Sequence, residues 1–349
     1  MATCLIGLGS NLGEREQNLV RAIDLLRANP DVLITRVSSH RTTRPAGGPA
    51  GQGEFLNAAA ILETALDPPA LLAALQSVES ELGRVRGERW DERVVDLDLL
   101  LYDRLELKTP LLELPHPRMS FRRFVLEAAA EIAPELVYPI NGWTIAELLA
   151  NLDRPEKYIA IGGVEYLPEG YRLLQRLSAM RPCRLLRTLD WEHPFATWLE
   201  LPDKSSIPWE PWINRHAELI AQATWPSDDV WTLSDFWFEE LPTTIGEEEK
   251  EYHLQLVKRL GSQIVRPVLV VLIEKELERR SKSMSKFLRA RGSSEVGAQL
   301  AEFRRTYVQE AEFLNSLVHS RSTGPVLRLS AANPEQCVAE VLAAMQAME

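Results

Sequence analysis

The chain has 349 residues, of which 45% are hydrophobic and 26% are charged, with a formal net charge of −11. This ordinary globular composition excludes a mostly disordered chain, and the length indicates two domains rather than one. The acidic balance excludes a protein that coats DNA or RNA, so we expect no nucleic-acid partner. A nucleotide can still bind where arginines are concentrated.

Cysteine usage and hydropathy predict a cytoplasmic protein. Cys4, Cys183 and Cys337 are odd in number and far apart, and they form no C-x-x-C pair. This pattern indicates a reducing compartment. The first residues, MATCLIGLGSNLGERE, have no basic stretch ahead of their short apolar run, so we expect no signal peptide. No window approaches the ~20 apolar residues that cross a bilayer, so we expect no membrane partner.

The first 134 residues alternate strand and helix patterns in the order βαββαβα. Helices are predicted where apolar residues recur at helical spacing, as at Leu19, Ile23 and Leu26. We predict strands at 3–9, 32–40, 55–65 and 94–103, and helices at 13–29, 68–83 and 120–134. This order predicts an α+β, ferredoxin-like N-terminal domain, with an antiparallel sheet and helices on one face.

The second half of the chain begins after a polar, proline-containing linker. We predict strands at 158–161, 266–273 and 324–330, and helices at 274–292 and 296–318. Strands that alternate with helices predict an α/β domain with a parallel sheet. We therefore expect one domain at 1–152 and another at 153–349.

The densest cluster of charged side chains lies between residues 84 and 98. Asp96 and Asp98 are two apart on a predicted strand, so both carboxylates point to one face. Such a pair suits Mg²⁺, which takes one or two carboxylates and completes its shell with water and phosphate. Four arginines, the side chains best matched to phosphate, lie just upstream: Arg84, Arg86, Arg89 and Arg93. These residue types fit a polyphosphate–Mg²⁺ site and a solvated, salt-bridged hairpin equally well.

Four segments in order carry a resemblance to a known family: IGLGSNLG, FLNAA, LGRVRGERWDERVVDLDLLL and LPHPRMSFRRFVL. Together, over residues 3–150, they resemble the 6-hydroxymethyl-7,8-dihydropterin pyrophosphokinases of folate biosynthesis. The pairing of R-W-x-x-R-x-x-D-L-D with P-H-P-R-M is specific. The resemblance implies a transferase in which the hydroxymethyl oxygen of the pterin attacks the β-phosphorus of ATP and AMP leaves.

The resemblance also implies a role for each matching residue. Asp96 and Asp98 would hold two Mg²⁺ ions, and they act with the catalytic arginines Arg84, Arg86 and Arg93. The implied ATP contacts are Gln76, Glu79, Arg89, Trp90, His116 and Arg122. The implied pterin contacts are Thr43, Pro45, Phe55, Asn57 and Phe124, with the two aromatics on either side of the ring. Gly9, Ser10, Asn11 and Gly13 shape a turn, since this segment lacks the lysine of a phosphate loop.

Three departures from the family pattern stand out. RVRGERW is one residue shorter than the commonest spacing, which shifts the loop that carries the arginines. A family arginine is replaced near Leu111, which leaves the adenine contacts open. Arg44 adds a charge to the pterin loop. None of these departures removes a metal ligand.

Residues 158–345 weakly resemble the deoxynucleoside kinase branch of the P-loop kinases. An active phosphate loop needs G-x-x-x-x-G-K-[ST], in which backbone amides and the lysine hold the phosphates. Here the segment reads GGVEYLPEGYR, without the lysine or the hydroxyl. Glu165 and Glu169 would repel a triphosphate, Arg172 is the one candidate substitute for the lysine, and Phe236 stands where those kinases carry arginine. We predict a pseudokinase domain that keeps the kinase fold and lacks phosphoryl transfer.

The leading hypothesis is therefore an ATP-dependent pterin pyrophosphokinase whose second domain is structural or regulatory. By analogy with the kinases, that domain predicts a homodimer. Two alternatives stay open at this point. One is a bifunctional enzyme whose second domain also phosphorylates a nucleoside, and the other is a non-enzymatic protein that binds nucleotide and pterin.

Overall fold

The computed structural model describes residues 1–48, 51–84, 92–163, 168–186, 209–226, 228–239, 247–274, 276–290, 292–330 and 332–349. These residues form two compact units of mixed α/β structure. Unit 1 is Met1–Asp153 together with Ala339–Glu349, and unit 2 is Arg154–Val338. The last eleven residues therefore group with the first unit, whereas the sequence places everything after residue 152 in the second domain.

Unit 1 contains a five-stranded sheet. Its strands are β1 (Ala2–Ser10), β2 (Val32–Val37), β3 (Arg41–Thr43), β4 (Phe55–Thr64) and β5 (Asp96–Tyr102). Their order is β2-β4-β1-β5, with β3 beside β4, and every pairing is antiparallel. A ribbon of β6 (Leu107–Lys108) and β7 (Glu113–Leu114) follows. The helices are α1 (Arg15–Ala28), α2 (Pro68–Glu81), α3 (Arg123–Ile132) and α4 (Ile145–Leu152). The ferredoxin-like name for this order stays a prediction.

Helices α1 and α2 pack on one face of this sheet. Leu26 of α1 and Leu75 of α2 are fully buried in one cluster with Leu97 and Leu99 of β5. Burying each such leucine contributes about 2 kcal/mol before the entropy of folding is counted. Since side chains alternate along a strand, Asp96 and Asp98 of β5 point to the opposite face.

Helix α3 lies on that opposite face, which differs from the prediction that all helices share one face. Arg41 is paired in register with Asn57 on β4, so the two side chains project to the same side of the sheet. Arg41 forms ion pairs with Glu127 and Glu131 of α3, at 3.7 and 3.4 Å. The polar face of the sheet is thereby partly covered, and the beginning of α3 borders the polar positions of β5.

Unit 2 contains a parallel sheet, as the alternation of strands and helices predicts. Its strands are β8 (Tyr158–Gly162), β9 (Arg184–Leu186), β10 (Thr232–Ser234), β11 (Leu269–Glu274) and β12 (Val326–Ser330). Their order is β12-β11-β8-β10-β9, and every pairing is parallel. The helices are α5 (Pro168–Met180), α6 (Trp209–Leu219), α7 (Glu247–Leu260), α8 (Leu277–Ala290), α9 (Val296–Val318) and α10 (Pro334–Met348). The P-loop assignment for this unit stays a prediction.

The carboxyl end of β8 is tightly packed. A Cβ atom built on Gly163 would lie 2.5 Å from the carbonyl oxygen of Ile273 on β11, so a side chain there would displace the backbone. Residues 164–167, which include Glu165 of the predicted phosphate loop, lie outside the described residues. Among the described residues, none of the helices combines the length and apolar character that crossing a bilayer requires.

Candidate active site

The two aspartates of β5 lie beside arginines from three segments. Arg84 Nη1 is 2.6 Å from Asp96 Oδ1, and Arg93 Nη1 is 2.5 Å from Asp96 Oδ2. Arg122, just before α3, places its Nη1 3.9 Å from Asp98 Oδ2. The acidic pair and three of the sequence-predicted arginines and ATP contacts are therefore together at one place.

The environment of Asp96 suits a divalent cation. Its burial, followed by the negative charge of Asp98, raises the pKa of Asp96, and the charges of Arg93 and Arg84 oppose this shift. Two carboxylates that repel each other at a partly buried position are stabilised by a cation with a preference for oxygen ligands. Among the described residues, no three His, Cys, Asp or Glu side chains group as a metal site. The pair would thus need water or phosphate oxygens to complete a Mg²⁺ shell.

Glu79 is buried beside this cluster. Its Oε1 accepts a 2.7 Å hydrogen bond from the backbone amide of Leu97 on β5, and the carboxylate also pairs with the Arg84 guanidinium. Burial raises the pKa of the Glu79 carboxyl, against the backbone hydrogen bond and the charge of Arg84. These contacts place Glu79 where it supports Arg84 and β5, and its role as an ATP contact stays a prediction. Gln76 lies one turn earlier on α2 and is partly exposed.

His116 lies in the segment that leads to α3. The backbone amide of Arg118 donates to His116 Nδ1 at 3.2 Å, so the neutral ring carries its proton on Nε2. Burial, followed by the positive charges of Arg122 and Arg118, lowers the pKa of His116 to about 3. Burial also lowers the pKa of Arg122. The Cζ atom of Arg122 lies 5.6 Å from the centre of the Phe124 ring, a distance typical of a cation–π contact.

The predicted pterin contacts on β3 and β4 are also neighbours. Asn57 Nδ2 donates to Thr43 Oγ1 at 2.6 Å, and Phe55 is paired in register with Thr43. A Cβ atom on Gly9 would lie 3.0 Å from Asn57 Oδ1 and 3.8 Å from the Phe55 ring. Pro45 follows in the next loop, two residues after β3.

Gly9 of β1 connects the two groups of residues. It is paired in register with Asn57 on one side and with Asp96 on the other. All three positions therefore face the same side of the sheet, and adjacent strands are about 4.8 Å apart, so the backbones of Asn57 and Asp96 are roughly 10 Å apart. The position between them is a buried glycine, so no side chain separates the Asn57 amide from the pair of carboxylates.

Three sequence-predicted site residues, Arg86, Arg89 and Trp90, lie outside the described residues. On the C-terminal side of these residues, the Arg93 amide donates to Asn11 Oδ1 at 2.7 Å and the Asn11 amide donates to the Arg93 carbonyl at 3.1 Å. The G-S-N-L-G turn thus holds an arginine of the site, a function that its turn-forming residues alone did not indicate.

Comparison with known proteins decides the family. The model of the 7,8-dihydro-6-hydroxymethylpterin-pyrophosphokinase (HPPK) family matches residues 5–134. A 2-amino-4-hydroxy-6-hydroxymethyldihydropteridine pyrophosphokinase of Methylorubrum extorquens is 43% identical over 154 residues, which are 44% of this chain and 95% of that protein. The Bacillus subtilis enzyme of the same name is 46% identical over 131 residues, or 38% of this chain and 78% of that protein. The chain belongs to the HPPK family.

HPPK membership makes the chain a pyrophosphoryl-transferring enzyme. Solved structures of Plasmodium falciparum HPPK-DHPS are also similar. One has a TM-score of 0.35 at 12% identity, covering 82% of this chain and 70% of that one. Another has a TM-score of 0.34 at 10% identity, covering 98% and 96%. These scores are too low to establish a common fold for the HPPK chain described here.

Proposed function

We propose that unit 1 transfers the pyrophosphoryl group of ATP to the 6-hydroxymethyl oxygen of 6-hydroxymethyl-7,8-dihydropterin, which yields AMP and the pterin diphosphate. The bond between the hydroxymethyl oxygen and the β-phosphorus forms, the bond from the β-phosphorus to the α,β-bridging oxygen breaks, and the hydroxyl proton is released. The observation that carries the proposal is the register Asn57–Gly9–Asp96, in which no side chain separates a polar amide from the acidic pair.

The pterin would bind at the Asn57 end of this row of three residues. Since Asn57 Nδ2 is engaged by Thr43, its Oδ1, which lies over Gly9, is the atom available to accept from the pterin ring. Phe55 and Phe124 would stack on the two faces of the ring, because a planar heterocycle is best held between aromatic side chains with one polar contact at its edge. Pro45 would stiffen the loop beside it.

The nucleotide would bind at the acidic end. Asp96 and Asp98 would hold two Mg²⁺ ions, which, when bound, supply positive charge to the triphosphate. Arg84, Arg93 and Arg122 would donate to the phosphate oxygens, as planar guanidinium groups do best. His116 would donate through Nε2, which its Nδ1 contact leaves as the protonated nitrogen.

The catalytic Arg86 and the ATP contacts Arg89, Trp90 and Gln76 complete the proposed site. Glu79 enters the proposal as the residue that holds Arg84 in place. The protein thus contributes position and charge rather than a covalent intermediate.

For unit 2 we propose a nucleoside-kinase-like domain without phosphoryl transfer, in a structural or regulatory role. The position of β8 supports a former ligand site: it is the central strand, with β10 on one side and β11 on the other. Ligands of open parallel sheets bind beyond the carboxyl ends of the strands, where the order reverses. In this chain the segment after β8 lacks the lysine that phosphate binding needs. A homodimer through this unit and a cytoplasmic location stay predictions.

The test is an assay of the full chain with ATP, Mg²⁺ and 6-hydroxymethyl-7,8-dihydropterin, in which AMP is resolved from ADP. We expect AMP that depends on the pterin. Deoxynucleosides replace the pterin in parallel reactions, where ADP would reveal a bifunctional enzyme. Binding of ATP and pterin without either product would favour the non-enzymatic alternative.

A further inference from the structure

The last turns of helix α10 lie in unit 1. Residues Ala339–Glu349 belong to unit 1, although they follow in sequence the whole of unit 2. Three of their polar groups bond to two segments of unit 1: Arg118 and Arg123 on either side of Arg122, and Gly47 in the loop after Thr43. These segments are the proposed nucleotide side and pterin side of the active site.

On the nucleotide side, the contact is between Glu340 and Arg118. Arg118 Nε and Nη2 donate to the two carboxylate oxygens of Glu340, each at 3.1 Å. The Glu340 side chain is only 4% exposed, and a bidentate pair at a buried position fixes both partners. Arg118 is also the residue whose amide donates to His116 Nδ1. Glu340 therefore holds the turn that selects the Nε2-protonated form of His116.

The negative charge of Glu340 also stabilises the arginines on the nucleotide side. Arg118 and Arg122 are both cations near His116. Burial and the positive charge of Arg118 disfavour the charged form of Arg122, whereas the negative charge of Glu340 favours it. Without the carboxylate, the Arg118 guanidinium would be a surplus charge close to the nucleotide side. It would also be able to turn away from the position that Glu340 gives it.

On the pterin side, the contact is between Gln346 and Gly47. Gln346 Oε1 accepts a 2.8 Å hydrogen bond from the Gly47 amide. Gly47 and Gly48 have φ values of 84° and 85°, a conformation that residues with a side chain rarely adopt. Glycine loses more conformational freedom on folding than any other residue, so a hydrogen bond at Gly47 helps to fix the segment that follows Thr43 and Pro45.

We propose that residues 339–349 position both substrates: Glu340 orders the nucleotide side through Arg118, and Gln346 orders the pterin loop through Gly47. This inference rests on the proposed function of unit 1. It makes the end of a helix that begins in unit 2 a part of the pyrophosphokinase site. A mutation in this helix would thus change substrate affinity without touching a residue that contacts substrate.

The test compares Glu340→Gln, Gln346→Ala and the control Glu335→Gln in the full chain. Glu335→Gln removes the same charge from the same helix. The Glu335 side chain, however, pairs with Arg176 and is 76% exposed. We expect Glu340→Gln to raise the KM for ATP roughly tenfold, the effect of losing a charge-assisted hydrogen bond, with the KM for pterin nearly unchanged. Gln346→Ala should raise the KM for pterin about threefold to tenfold and leave that for ATP nearly unchanged. The control should match the wild type.

A double mutant separates positioning from general damage. If Glu340 acts through Arg118, Arg118→Gln/Glu340→Gln should raise the KM for ATP no further than either single change. Equal rises in both KM values, or none, would overturn the proposal. Wild-type protein that forms no AMP would instead refute the proposed function. In that case, binding of α,β-methylene ATP, measured by calorimetry, still compares Glu340→Gln with the control, and equal affinities would overturn the role of Glu340.

Discussion

Arg84 Nη1 lies 2.6 Å from Asp96 Oδ1, so the proposed metal ligand is already paired with a cation. Arg93 occupies the other carboxylate oxygen. A divalent ion at Asp96 would compete with both guanidinium groups for the same oxygens. The arginines would then be released toward the phosphates that arrive with the ion, which couples metal binding to the assembly of the phosphate site.

The first prediction concerns the acidic pair. Asp96→Asn and Asp98→Asn should each lower pterin-dependent AMP formation by on the order of 100-fold or more, since each removes a charge aimed at the reacting phosphates. The free energy of unfolding should change by about 1 kcal/mol or less, because the lost ion pairs are partly exposed. The control is Asp24→Asn, because the Asp24 side chain pairs with Arg27 and is 64% exposed. Turnover equal to that of the control would contradict the assignment of the metal site.

The second prediction uses two glycines of one strand. Gly9→Ala would place a Cβ atom 3.0 Å from Asn57 Oδ1, so the amide must shift. The KM for pterin should rise roughly tenfold, the effect of about one displaced hydrogen bond, with the KM for ATP much less affected. Gly7→Ala is the matched control, because the three atoms nearest to its Cβ atom would all belong to the Leu100 side chain, the first at 3.4 Å. The measurement is steady-state kinetics with each substrate varied in turn. Equal KM values for pterin in the two variants would count against Asn57 as a pterin contact.

Local patterns predicted part of this site, and long-range packing determined the remainder. The alternation along β5 was sufficient to place Asp96 and Asp98 on one face, because strand periodicity is a local property. The position of Glu79 depends on how α2 meets β5, and a glutamate on a helix gives no sign that it will be buried. The bond between Arg118 and Glu340 joins residues 222 positions apart. Neither residue is unusual in its own segment, so no sequence signal marks the pair.

The third prediction addresses Glu79. Glu79→Ala leaves the buried Leu97 amide without its acceptor and leaves Arg84 with Asp96 as its remaining partner, so it should destabilise the protein by about 1–3 kcal/mol. Glu79→Gln should cost less, because an amide oxygen can still accept from Leu97. Both variants should slow AMP formation, since Arg84 loses the carboxylate that orients it. Denaturant unfolding and initial rates are the measurements. A slow rate at unchanged stability for Glu79→Ala would favour direct contact with ATP instead.

The fourth prediction is a dependence of stability on pH. The pKa of His116 is lowered from 6.5 to about 3 in the folded chain. Below about pH 6.5 the unfolded chain therefore binds a proton that the folded chain does not. The stability contributed by neutral His116 is fully present above that value and is lost progressively as the pH falls toward about 3, by at most about 1.4 kcal/mol per unit.

The variant His116→Gln removes this titration and leaves the carboxylates that also titrate in acid. Unfolding free energies measured near pH 7 and near pH 5 should therefore fall less steeply for His116→Gln than for the wild type. Parallel lines for the two proteins would show that His116 has the same pKa in the folded and unfolded chains.

The fifth prediction concerns unit 2, and it is tested in the chain that carries Asp96→Asn and Asp98→Asn. In that background, unit 1 should consume almost no ATP, so any ADP formed with a deoxynucleoside would come from residues outside the acidic pair. We expect none. The segment after β8 offers Arg172 but no lysine, and a phosphate loop holds the β- and γ-phosphates with that lysine as well as with backbone amides. ADP formed with a deoxynucleoside by this double variant would establish a second activity and refute the pseudokinase prediction. ADP that appears in the wild type and disappears in the double variant would assign that activity to unit 1.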